Sequence, residues 1–91
     1  MKRDYTDFEI RVLILNWLVR HGRWGENYFP LDTLNNKLSH VVEKDGKKIR
    51  RNVKDLLVEG YILSHKRGNT ISLNPTRSRE IIEYIKEKIK L

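Results

Sequence analysis

The 91-residue chain has no cysteine, only two prolines and five glycines, and no apolar run near the ~20 residues that a membrane span needs. Without thiols it can build neither a disulfide framework nor a thiolate zinc site. Its three histidines, His21, His40 and His65, never stand three or four residues apart, so the helical spacing of metal ligands is missing too. The first residues lack the apolar core of a signal peptide, and a soluble, cytoplasmic protein is expected. There is no glycine-rich phosphate loop, no paired-carboxylate pocket and no Ser/His/Asp or Cys/His arrangement. The chain therefore reads as a non-enzyme without cofactor or metal. Its length suits one domain, residues 1–91.

Positive charge is what the chain has in excess. Nineteen Lys and Arg against twelve Asp and Glu leave a formal net charge of +7 and a pI near 9.9. Such a balance favours a polyanionic partner: DNA, RNA or an anionic membrane surface. The excess is concentrated, since between Lys44 and Arg67 eight cationic residues face three acidic ones.

Within that stretch, Lys47 to Glu59 has helical periodicity. Ile49, Val53, Leu56 and Leu57 share one face, Lys47, Lys48, Arg51 and Lys54 lie opposite, and Arg50 sits at the edge. Gly60 is placed to end the helix in a left-handed conformation. A hairpin follows, with strands Tyr61–His65 and Thr70–Asn74 and a tip carrying Lys66 and Arg67. In the second strand Ile71 and Leu73 are expected inward and Thr70, Ser72 and Asn74 outward. Gly68-Asn69 is expected to supply the positive φ of the turn.

Three further helices complete the pattern. Thr6 and Glu9 form a capping box for a helix over about 7–21, stopped by Gly22. Its strongest stripe is Phe8, Val12, Leu15 and Val19, yet Ile10, Leu13 and Trp17 lie nearly opposite, so burial on several sides is expected. Trp24, in the loop that follows, reads either as a partner-binding residue or as a side chain folded over the core edge, and Tyr28-Phe29 as a very short strand. A short helix over about 32–38 takes Asp32 as its N-cap, with Leu34 and Leu38 inward. The polar connection Ser39–Gly46 is long for a helix-turn-helix, and Val41 and Val42 extend a neighbouring helix or plug the gap. The last helix, 75–90, has Asn74 as cap, Pro75 at its first position and a stripe of Ile81, Ile82, Ile85 and Ile89.

The fold class is thus mainly α with a β-hairpin. The order helix, short helix, basic helix, hairpin, helix resembles the winged helix-turn-helix superfamily over nearly the whole chain. Val53-Lys-Asp-Leu-Leu-Val-Glu-Gly-Tyr-Ile62 is similar to the recognition-helix end and first wing strand of MarR, ArsR and Lrp-like regulators. Asn69-Thr-Ile-Ser-Leu-Asn-Pro75 resembles the second wing strand and following helix of small archaeal members.

The resemblance implies a sequence-specific double-stranded DNA-binding protein, a transcriptional regulator with its basic helix in the major groove. Lys47, Lys48, Arg50, Arg51 and Lys54 would meet bases and phosphates, with Arg51 or Arg50 the better base reader because its fork matches guanine. Lys66 and Arg67 would reach the backbone or minor groove from the wing. Thr33, Asn35, Asn36 and His65 are further candidates for minor contacts. Regulators of this type commonly bind as symmetric dimers, and a homodimer through Leu13, Trp17, Ile81, Ile82, Ile85 and Ile89 is expected unless these helices cover each other within one chain. A protein-docking module and an RNA-binding protein are the competing readings, because fold does not dictate function.

Overall fold

Apolar residues from every helix and from the hairpin meet in one core of which Ile10, Ile14, Leu15, Leu18, Leu34, Ile49, Leu56, Ile71, Leu73 and Ile81 are wholly buried. The computed structural model describes residues 5–42 and 45–89, with only the backbone described for Asp45, Lys88 and Ile89. The order is α1 (Asp7–Arg20), β1 (Phe29–Pro30), α2 (Leu31–Ser39), α3 (Asp45–Glu59), β2 (Ile62–His65), β3 (Thr70–Leu73), a 3-10 turn (Pro75–Arg77) and α4 (Ser78–Ile89). The protein is mainly helical with a small three-stranded antiparallel sheet, ordered β1-β3-β2.

Helix α1 opens on the expected capping box: Glu9 N donates to Thr6 Oγ1 at 3.1 Å, and Thr6 N donates to Glu9 Oε1 at 2.9 Å. Of the expected stripe Val12 and Leu15 are buried and Val19 is partly so, but the buried side extends beyond it and leaves Phe8 out. Ile10, Ile14, Leu15 and Leu18 are at 0 % exposure, whereas Phe8 is 42 % exposed and stacks on Tyr84 of α4 at 5.2 Å. Helices α2, α3 and α4 and strand β3 all pack on α1, which is why its apolar residues run nearly all round. Trp24 is half-buried at the core edge, the second of its two sequence readings.

Helix α2 begins at Leu31, with Pro30 rather than Asp32 at the cap position. Pairing sets this start: Pro30 lies opposite Thr70, and Leu31 N donates to Asn69 O at 2.9 Å, so the sheet delivers the chain into the helix one residue early. The short strand is likewise Phe29–Pro30 rather than Tyr28-Phe29. Helix α3 starts at Asp45, two residues before the expected Lys47. Val42 is wholly buried and plugs the α2–α3 gap, while Val41 is exposed. The C-terminus of α3 is a Schellman motif, in which Gly60 (φ 82°) donates to Leu57 O and Tyr61 to Leu56 O, both at 3.1 Å.

Two expectations for the hairpin need correction. Ser72 is buried, not outward, because β3 is the central strand and the 23–25 loop also pairs with it; Ser72 Oγ donates to Gly25 O at 2.6 Å. Positive φ falls on Lys66 (50°), Arg67 (59°) and Gly68 (86°), not on Asn69. After β3, Asn74 caps as expected, accepting from Thr76 N at 3.1 Å, but Pro75–Arg77 form a 3-10 turn before α4 begins.

Helix α4 takes two of the six residues expected at a dimer contact into the core of the chain. Ile81 (0 % exposed) and Ile85 (6 %) are core residues of the single chain, and Ile82 is half-buried. Ile81 and Ile85 are spent in the core that α4 shares with α1, the alternative the sequence left open. The Ile89 side chain lies outside the described residues.

Candidate nucleic-acid interface

Helix α3 distributes its side chains in three sectors. Ile49, Val53 and Leu56 enter the core. Lys48, Asn52, Asp55 and Glu59 run along the side that meets α1. At about 100° per residue, Arg50, Lys54, Lys47, Val58 and Arg51 fall in that order within an outward arc of about 100°, and all five are exposed. Val58 is the most exposed large apolar residue of the described chain, at 80 %.

A polar ladder ties the second sector to α1. Arg11 donates from Nε to Asn52 Oδ1 at 3.0 Å, from Nη2 to Asp55 Oδ2 at 3.0 Å and from Nη1 to Glu59 Oε2 at 3.2 Å. Its side chain is 23 % exposed, less than either carboxylate. Partial burial works against its charge, but the Tyr84 hydroxyl, Glu59 and Asp55 together outweigh this and raise its pKa further. One guanidinium thus collects both described carboxylates of α3, at successive turns on one side of the helix. The outward arc is left without a described acidic residue.

The predicted contact residues divide on this geometry. Arg50 and Lys54 are exposed and have no partner among the described residues, and Lys47 is exposed beside them. Arg51, expected as a base reader, donates from Nη2 to Asp7 Oδ1 at 2.8 Å while its side chain stays 60 % exposed. Asn52 Nδ2 also donates to Asp7, at 3.1 Å, and these two hydrogen bonds, Asn52 first, hold the Asp7 carboxyl below its ordinary pKa. Lys48 turns inward, and its Nζ donates to Tyr5 O. On α2, Thr33 and Asn36 are exposed, but Asn35 is buried against Gly46 and cannot serve as a surface contact.

At the hairpin tip Lys66 and Arg67 project from consecutive left-handed residues, exposed and without a partner among the described residues. His65 stands back from them. Its ring packs on Tyr28 at 3.6 Å between centroids, with Nε2 3.4 Å from Ser72 Oγ, so its first role is in packing the turn end of β2.

A second surface feature is a groove of about 490 Å³ between α1 and α2, lined by Leu13, Asn16, Trp17, Arg20, His21 and Leu38. Trp17 is fixed there between His21, stacked at 3.7 Å, and Phe29 at 4.6 Å.

Sequence reading passed over Arg11 and Asp7. The signal was present, because Asn52, Asp55 and Glu59 recur on one side of α3 and such a polar row beside a core face calls for a partner. Which residue supplies it depends on how the two helices cross. Among the described residues, no group of His, Cys, Asp and Glu can hold a metal ion, and no helix is long and apolar enough to cross a membrane. Comparison of the chain with family models, curated proteins and solved structures finds no match in any of the three.

Proposed function

We propose that the protein binds double-stranded DNA with sequence preference, as a transcriptional regulator of winged helix-turn-helix type. The observation that carries this reading is the outward arc of α3: four cations, and the described acids of the helix turned away onto Arg11. In this reading α3 lies in the major groove. Arg50 is the base reader, because Arg51 is engaged by Asp7 and only a guanidinium offers guanine two parallel donors. Lys47 and Lys54 act as point charges on phosphate, and Thr33 and Asn36 add neutral phosphate contacts from α2.

The hairpin is the wing. Holding Lys66 and Arg67 in the left-handed region costs about 1 kcal/mol each, and residues kept in such conformations cluster at functional sites. Their side chains reach the backbone or the minor groove.

The test is a fluorescence-anisotropy titration of a labelled random-sequence duplex at low and moderate salt, comparing wild type with Arg50→Ala/Lys54→Ala. If about five phosphates are neutralised, log K falls with log salt at a slope of roughly −4 to −5, and the folded variant loses most of the binding. No binding by wild type, or equal binding by both, overturns the reading. Stronger binding to duplex RNA moves the proposal to RNA.

A second reading, a protein-docking module, draws on the α1–α2 groove with its half-buried Leu13 and Trp17. The homodimer expected from the sequence uses this groove rather than Ile81 and Ile85. Sedimentation of wild type and Trp17→Ser at equal concentration tests it, and a monomer in both rules it out.

A further inference from the structure

Helix α3 carries carboxylates at Asp55 and Glu59, one turn apart, and Asp55 stands one turn after Arg51. On an isolated helix Asp55 would pair with Arg51 by the ordinary i, i+4 contact and withdraw that cation from a polyanion. The folded protein contains no such pair. Asp55 and Glu59 are drawn instead to Arg11, 44 and 48 residues away in the chain, and Arg51 is joined to Asp7. The same guanidinium donates to Asn52 one turn earlier, so its Nε and both terminal nitrogens are engaged along α3.

We infer that Arg11 is a positioning residue for DNA binding: it touches no nucleic acid, and acts by holding Asp55 and Glu59 in the α1–α3 seam, off the cationic arc of α3. The inference rests on the proposed DNA-binding function and assigns the clearing of that arc to one residue on another helix. Arginine suits the task because its planar fork serves two carboxylates at once and stays charged at any physiological pH. A lysine at this position would hold one carboxylate and release the other.

Removing Arg11 has two expected consequences at the binding face. Two carboxylates are uncovered within about a Debye length of bound phosphates, and Asp55 competes for Arg51. Together they weaken binding by about 3- to 10-fold at low salt, and the loss shrinks as salt screens it.

The experiment is the anisotropy titration at about 50 mM and 200 mM salt on wild type, Arg11→Gln, Asp55→Asn/Glu59→Gln and Arg11→Gln/Asp55→Asn/Glu59→Gln, each checked by circular dichroism. The single variant should bind less tightly, and the triple variant should regain wild-type affinity or better although Arg11 is still absent. A merely structural role for Arg11 predicts that neutralising the two acids raises affinity by the same factor with Arg11 present (Asp55→Asn/Glu59→Gln) as without it, whereas the inference predicts a larger factor in its absence. Where Arg11→Gln does not stay folded, Arg11→Lys with and without the two neutralised acids carries the same comparison. Unchanged affinity in Arg11→Gln, a loss that the triple variant does not restore, or the same factor with and without Arg11 overturns the inference while leaving the binding reading intact. Absence of binding by wild type overturns both.

Discussion

Gly46, in the first turn of α3, lies against Asn35 of α2 so closely that a Cβ at this position would stand 2.6 Å from the Asn35 amide nitrogen. The missing side chain lets the two helices approach. Asn35 is itself buried, at 6 % exposure, and its Oδ1 has no hydrogen-bond partner among the described residues, so little room or compensation exists for it to move. Helix propensity alone favours Gly46→Ala by about 1 kcal/mol, but overpacking typically costs about 1–3 kcal/mol. A net destabilisation of about 1 kcal/mol is expected in urea unfolding. Adding Asn35→Ala should restore it, and a raised midpoint in the single variant would show that Asn35 swings aside.

The same glycine marks a limit of sequence reading. In the chain Gly46 closes a polar stretch and reads as loop, and only the contact with Asn35 explains why it belongs inside the helix. The elements with local signals were legible. The Thr6–Glu9 box, Gly60 and Asn74-Pro75 each mark a helix end through residues a few positions apart, and the outward cations of α3 follow from its period except Lys48, which turns inward to Tyr5. What depends on distant partners was not. Ser72 alternates like an outward residue but lies in the central strand, and Arg51 looks like a reader until α1 brings Asp7 beside it.

Ile81 separates two uses of the isoleucine stripe. Buried at 0 % exposure within one chain, it should lose about 2–5 kcal/mol of stability on Ile81→Ala. Because the site lies in the core of the monomer, the loss should be independent of protein concentration. A midpoint difference that grows with concentration would instead place Ile81 at a subunit contact.

Asp7 links acid stability to the proposed binding face. Its folded pKa is depressed, chiefly by the hydrogen bond from Asn52 and then by that from Arg51. The stabilisation is therefore complete above the ordinary carboxylate pKa of about 4 and is lost as pH falls through the lower, folded value. Asp7→Asn should reduce the difference in stability between neutral and strongly acidic pH. It also releases Arg51, so DNA affinity at neutral pH should rise by a few-fold at low salt, with a salt slope steeper by up to about 1. Urea titrations across pH and the anisotropy titration read the two effects separately. An unchanged acid profile would show that the Asp7–Asn52 bond contributes nothing to folding.

Arg67 sets stability against the proposed DNA binding at the hairpin tip. Its φ of 59° follows that of Lys66 at 50°, and left-handed backbone is strained for both side chains. Arg67→Gly removes that strain. Glycine also enlarges the conformational freedom of the unfolded chain, so the net gain is expected to be only about 0.5 kcal/mol. The substitution deletes one cation that has no partner within the described chain, and no internal ion pair is lost with it. Affinity for duplex DNA should accordingly fall, with the salt slope shallower by about 1, while the melting temperature holds or rises. The opposite pairing, lower stability with unaltered binding, would make Arg67 a structural residue of the turn and remove the wing from the interface.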